Sequence, residues 1–226
     1  MPRRRADWVA GRVTAKWVVA EALSLPAGSR LSTIEIASEP GGRPYARVAP
    51  EAPPLARFAT GMRLPVSVSI SHVEGVALCA ATRLDLGGGG RRALGIDLGR
   101  AEPRSPEFVD TFFTEDEKRF VREAREWDTS LAANLVWCAK EAVLKALGIG
   151  LTVDTLEVNC KPLTGLADPT GWPLAPSGGE WHPFVAACGS ALVPGGEAVH
   201  GIWRSFPGLV AALAACPDVG RATTGA

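Results

Sequence analysis

The 226-residue chain carries 24 basic and 24 acidic side chains, so its formal net charge is zero, which argues against a general nucleic-acid binder. Hydrophobic residues make up 46% and charged residues 21%, a globular composition with length enough for one large domain or two small ones. The five cysteines are odd in number and form no C-x-x-C pair, which argues against a zinc site or a disulfide framework. Cys79, Cys138 and Cys188 lie in apolar runs as small core residues, a usage that suits a reducing cytoplasm. No apolar run approaches the ~20 residues that span a bilayer. Arg3-Arg4-Arg5 reads as a solvated start, and Glu21 interrupts the apolar segment that follows, against a signal peptide.

In chain order, 6–23 reads as a helix with Val9, Val13, Trp17 and Ala20 on its apolar face, ended by Pro26-Ala27-Gly28. A strand is expected over 31–36, then a Pro/Gly-rich connection over 39–65 with little periodicity. Strands at 66–71 and 76–81 form a hairpin around Glu74-Gly75. Gly87–Gly90 is a turn, and 93–98 a further strand. Thr114-Glu115-Asp116-Glu117 has the spacing of a capping box for a helix to about 125. A longer helix starts at Thr129 or Ser130 and runs through Leu147, with Gly148 as its stop. A strand over 152–159, a loop-rich stretch over 161–181, and strands at 183–188, 198–203 and 209–216 complete the chain, with a frayed tail after Pro217. The apolar runs 76–81 and 209–216 resemble each other, a faint sign of two similar halves.

The chemistry concentrates in a few positions. Glu141 and Lys145 lie one helical turn apart and share a face, so a carboxylate can hold a metal while an ammonium holds a phosphate. Asp97 ends an apolar strand; alone it reads as a turn residue. Beside Glu141 it becomes half of a hard-cation site of the kind Mg²⁺ uses, with one or two carboxylates, waters and substrate phosphates. Ser71 and His72 are adjacent on a strand, so their side chains point to opposite faces. No G-x-S-x-G elbow surrounds any serine, and a nucleophile–base pair is not expected. Gly41-Gly42-Arg43-Pro44 is a rigid turn that presents a guanidinium suited to phosphate. Gly87–Gly90 with Arg91-Arg92 lacks the G-K-[ST] ending of a phosphate loop.

Taken together, Gly42-Arg43-Pro44, Ile70-Ser71-His72, Gly95-Ile96-Asp97-Leu98-Gly99 and Trp137-Cys138-Ala139-Lys140-Glu141-Ala142-Val143-Leu144-Lys145 resemble, in order and spacing, motifs of the 4'-phosphopantetheinyl transferases, specifically the longer surfactin-synthetase-type group. Phe112-Phe113-Thr114-Glu115-Asp116-Glu117 resembles a further segment of that family. The resemblance spans roughly 6–158. It implies an α+β fold: a pseudo-two-fold pair of halves, each a helix on a small antiparallel sheet, placed here at 1–104 and 105–226, with coenzyme A (CoA) between them. It implies a monomeric cytoplasmic enzyme that moves the 4'-phosphopantetheine arm of CoA onto a serine of an apo acyl or peptidyl carrier protein, releasing 3',5'-ADP, in polyketide, nonribosomal peptide, siderophore or fatty acid synthesis. Nucleic acid and membrane are not implied as partners.

Residue by residue, the resemblance gives Asp97 and Glu141 as ligands of Mg²⁺ or Mn²⁺. Lys145 answers charge on the attacked phosphate, Arg43 and His72 bind the 3'-phosphate or pyrophosphate, and Ser71 adds a hydrogen bond. Glu141 takes the serine proton, directly or through a metal-bound water. Lys140 touches phosphate or caps the surface. The chain departs from the family pattern at Gly99, where a second acid is expected, and a water would fill that position. It also departs at the N-terminus, which begins almost at the first helix, so that Arg4, Arg5 or Arg12 would supply phosphate contacts unless the chain is a domain cut from something longer. Gly99 also motivates a non-catalytic module that binds CoA or carriers. A metal phosphohydrolase that cleaves CoA is a third reading.

Overall fold

In a computed structural model, residues 2–84, 92–124, 129–162, 180–193 and 196–217 are described. The expected features at Gly87–Gly90, most of 161–181 and the tail after Pro217 lie outside them. Helix α1 (Pro2–Ala22) is followed by β1 (Ile34–Ser38), β2 (Pro44–Val48), β3 (Val66–Val73), β4 (Val76–Arg83) and β5 (Arg92–Arg100). Helices α2 (Pro106–Phe112), α3 (Glu115–Glu123) and α4 (Thr129–Leu147) come next, and then β6 (Val158–Pro162), β7 (His182–Cys188), β8 (Val199–Phe206) and β9 (Leu209–Pro217). The fold is α+β, and every strand pairing is antiparallel.

The second part of the chain builds one five-stranded sheet, ordered β5-β9-β8-β7-β6, with α4 across it. Its core includes Phe113, Phe120, Leu135, Val143, Leu144, Phe184 and Trp203. The first part builds two hairpins, β1-β2 and β3-β4, with α1 against them and a separate core of Val19, Ile34, Val48, Leu64, Val66 and Val68. A helix followed by four strands therefore occurs twice, α1-β1-β2-β3-β4 and α4-β6-β7-β8-β9. Although β5 precedes residue 104, its backbone ladder is with β9. The β3-β4 turn puts Glu74 at φ 35° and Gly75 at φ 88°, the left-handed pair that two-residue hairpins use.

The junction between the two parts is made by serines. Ser67, Ser69 and Ser71 alternate along β3, so their hydroxyls share one face. They accept from the backbone N–H groups of Leu94 (3.0 Å), Ile96 (2.9 Å) and Leu98 (3.1 Å). These are the donors of β5 on the side away from β9. A ladder of side-chain acceptors thus replaces the missing neighbouring strand and satisfies an otherwise open sheet edge.

Three sequence expectations need correction. The core face of α1 is Gly11, Ala15, Val19 and Leu23, whereas Val9, Val13 and Trp17 are exposed. Gly11 packs on Ile70, where a Cβ would stand 3.0 Å from Cγ2; the helix lies down on its small side, and Arg12 Nε reaches Ile36 O at 3.2 Å. The 39–65 connection contains β2, which pairs with β1 over the whole of both strands. The strand expected over 152–159 begins only at Val158, preceded by 3-10 turns at Gly150–Thr152 and Thr155–Glu157. Asp154 accepts from Leu156 N and holds the second of these turns. Helix α2 was also missed, although Ser105 as N-cap and Pro106 in the first turn mark its start.

Candidate active site

Helix α4 can approach β5 closely because the strand is stripped of side chains where they touch. A Cβ at Gly95 would lie 1.9 Å from Ala142 O and 2.3 Å from Ala146 N, so only glycine permits the contact. Asp97 lies two residues on and projects from the same face of β5. From α4, Asn134, Cys138, Glu141 and Lys145 recur at helical spacing toward the strand.

A cavity of about 500 Å³ opens there, and Ser71, His72, Asp97, Glu141 and Lys145 line it. The Lys145 ammonium donates to Asp97 Oδ1 at 2.6 Å and to Ile96 O at 3.1 Å. Ser71 donates to the same Asp97 oxygen at 2.9 Å while accepting from Leu98 N. Asp97 is only 8% exposed, and its orientation is fixed by an ammonium from the second core's helix and a hydroxyl from the first core's strand. Burial raises the Glu141 carboxyl above the usual range, with the Asp97 charge adding to the effect and Lys145 opposing it. Glu141 is thereby suited to hold a proton or a cation.

Arg43 lies in a smaller adjoining cavity of about 230 Å³, which shares Ile70 and Lys145 with the first. Its Nη1 would be 2.9 Å from a Cβ at Gly148, whose φ is 71°. The glycine that ends α4 thus also makes room for the guanidinium. All six sequence-predicted site residues therefore line two cavities that meet at Lys145. Ser71 is engaged within the protein: its proton goes to Asp97, and one lone pair receives Leu98 N–H.

Lys140 lines neither cavity and is not on the surface. It is fully buried, 2.8 Å from Glu117 Oε2, and donates to Thr155 O (2.8 Å) and Val158 O (2.5 Å). Glu117 in turn accepts from Thr114 N and Cys160 N. The capping-box acid and the first lysine of the α4 motif are thus partners in one buried network joining α3, α4 and β6.

Two carboxylates with cationic neighbours suit Mg²⁺, which keeps waters and takes substrate oxygens. Among the described residues, no group of three or more His, Cys, Asp or Glu side chains is placed to hold a metal. Position 99 shows why a third acid is missing: a Cβ on Gly99 would be 2.8 Å from Cys138 Sγ, and Cys138 is buried against Asp97. Burial and the Asp97 charge hold that thiol protonated. Sequence reasoning missed Arg100, Arg104 and Trp137, which also line the larger cavity. The signal available was two arginines within the seven residues after Asp97.

The fold and cleft define an α+β protein with a paired-carboxylate, multi-cation site. Residues 93–173, a little over a third of the chain, match the sequence model of the 4'-phosphopantetheinyl transferase superfamily. That segment contains Asp97, Glu141 and Lys145. Among solved structures, the chain is similar to the holo-[acyl-carrier-protein] synthase (AcpS) of Thermotoga maritima at 21% identity and a TM-score of 0.39, over 54% of this chain and 61% of that one. No curated protein sequence matches. Among the described residues no helix is long and apolar enough to cross a membrane.

Proposed function

We propose that the chain transfers the 4'-phosphopantetheine arm of CoA to a serine of an apo carrier protein. The observation that carries this reading is the convergence of His72, Asp97, Glu141 and Lys145 on one cavity, with Arg43 in the next. The family match over 93–173 supports the same reaction class.

In this reading the serine oxygen forms a bond to the β-phosphorus of CoA. The bond from that phosphorus to the bridging oxygen breaks, and 3',5'-ADP leaves. Asp97 and Glu141 would hold Mg²⁺ or Mn²⁺, which supplies charge neutralisation at the diphosphate. Lys145, beside Asp97, answers charge on the phosphate oxygens. His72 and Arg43 hold the remaining phosphate charge. Ser71 keeps Asp97 oriented. Glu141 receives the serine proton. The surfactin-synthetase-type subgroup, the division into halves at 1–104 and 105–226, a monomeric state and a cytoplasmic setting belong to this proposal.

Incubation with CoA, Mg²⁺ and a panel of apo carrier proteins should add the phosphopantetheine mass to at least one of them. Asp97→Ala and Glu141→Ala should each lower transfer by at least roughly 10²-fold while circular dichroism stays native. Full turnover in either variant would remove that residue from the site. A second reading is favoured by Gly99: a CoA- or carrier-binding module without turnover. CoA binding with no transfer at any Mg²⁺ or Mn²⁺ concentration would select it.

A further inference from the structure

The larger cavity contains a cation that the reaction above leaves without a task. Arg104 lines it, and its guanidinium is fixed at two points. Its Nε donates to Asn134 Oδ1 at 2.8 Å, and its Cζ lies over the Phe108 ring, 4.7 Å from the centroid. Asn134 is itself fully buried and donates through Nδ2 to Glu102 O and Ser130 O. Those two carbonyls set the amide the one way round that points its oxygen at Arg104. Phe108 is held in turn by Phe112, Phe113 and Trp137. Among the described residues no hydrogen bond or ion pair uses the Arg104 Nη groups. A buried amide and an aromatic platform therefore hold a guanidinium with its two-pronged edge uncommitted, the geometry that takes a carboxylate or phosphate in bidentate fashion.

The position indicates which anion. Asn134 precedes Glu141 by seven residues and Lys145 by eleven along α4, roughly 10 Å and 16 Å at helical rise. Lys145 and Arg43 lie toward the other end, where the two cavities meet, and His72 lines the larger cavity between that end and Arg104; these three serve the phosphates of one CoA. Beyond the transferred phosphorus CoA continues as an uncharged arm. Arg104 thus stands where the acceptor protein approaches, not where the nucleotide lies.

Resting on the phosphopantetheinyl-transfer reading, we propose that Arg104 is a preorganised docking group for a carboxylate of the acceptor carrier protein, with Asn134 as its positioning residue. The test uses the full chain, CoA, Mg²⁺ and a panel of apo acyl and peptidyl carrier proteins, with CoA affinity measured separately by calorimetry. Arg104→Ala should raise KM for the carrier by roughly 10- to 100-fold, the worth of a charged hydrogen-bonded pair, with the calorimetric CoA affinity within about twofold of wild type. Arg104→Lys should recover only part of the loss, because an ammonium cannot make the bidentate contact. Asn134→Leu should move carrier KM in the same direction by less. A fall in CoA affinity in Arg104→Ala matching the rise in carrier KM would make Arg104 a nucleotide-phosphate ligand and overturn the proposal. So would an unchanged carrier KM, which leaves the transfer reading intact. Wild-type protein that binds CoA but transfers to no carrier would refute the transfer reading, and the docking role with it.

Discussion

The two helix-on-sheet units solve the same packing problem in opposite ways. Where α1 meets β3, the helix is bare: Gly11 faces Ile70, and the strand keeps its side chain. Where α4 meets β5, the strand is bare: Gly95 faces the α4 backbone, and the helix keeps Cys138, Glu141 and Lys145 at the contact. A bare helix can only pack, whereas a bare strand leaves a helix free to project charged groups into a cleft. The first unit accordingly contributes Ser71 and His72 from a strand and Arg43 from a turn, and the second contributes the acid–base pair from its helix. The two also differ in how they treat charge. The Glu35–Arg47 pair of the first unit is partly exposed on a hairpin. Glu117–Lys140 of the second is fully buried.

The sharpest way to break this comparison is at the buried pair. Lys140→Met should leave the buried Glu117 carboxyl without its cation and drive it to take up a proton, since burial already raises it, at a cost of about 3–5 kcal/mol in a urea titration. Glu117→Leu combined with Lys140→Met should recover much of it. Glu35→Ala should barely move the midpoint. Equal effects in the two units would refute the distinction. Next in size is Gly95→Ala, expected to cost about 3 kcal/mol because its Cβ meets helix backbone that cannot rotate away. Gly11→Ala should be close to neutral, as a 3.0 Å contact with one methyl group is offset by alanine's better helix propensity of ~1 kcal/mol.

At the junction between units, Ser69→Ala should cost about 1–3 kcal/mol by stranding the buried Ile96 N–H. Hydrogen exchange should locate the loss at β5 rather than β4. The smallest effect concerns thiols, one from each unit. Burial pushes Cys79 and Cys188 from 9.0 up to about 11. The native state holds these protons more tightly than the unfolded chain, so stability should fall as pH rises from about 9 through about 11. Alkylation at pH 8 should be slow until urea is added. Rapid native labelling of either thiol would contradict its placement.

Much of the candidate site was legible because it is local chemistry, although Asp97, expected at a strand end, lies within β5 opposite Ala212. Glu141 and Lys145 share a face by helical spacing alone, and Thr114 with Glu117 announces a helix start that the structure contains. Gly148 was readable as a stop by its ease with positive φ. Less legible was whatever depends on a partner distant in sequence. Lys140 has the look of a surface or phosphate lysine until Glu117, 23 positions earlier, is brought against it. The buried face of α1 was misassigned because Val9, Val13 and Trp17 form the more apolar stripe, while Gly11 and Ala15 offer the closer approach.

The sequence by itself determined the helices with strong caps, the hairpins with strong turns, and the carboxylates and cations available for chemistry. Those properties follow from backbone preferences and side-chain period within a few residues. Only the tertiary structure decided that serine hydroxyls would stand in for a missing strand along β5, that Gly99 would be filled from across the contact by Cys138, and that Arg104 would be held by Asn134 at the larger cavity. Each of those depends on which surfaces exclude water together, and that is set by how closely two elements can approach.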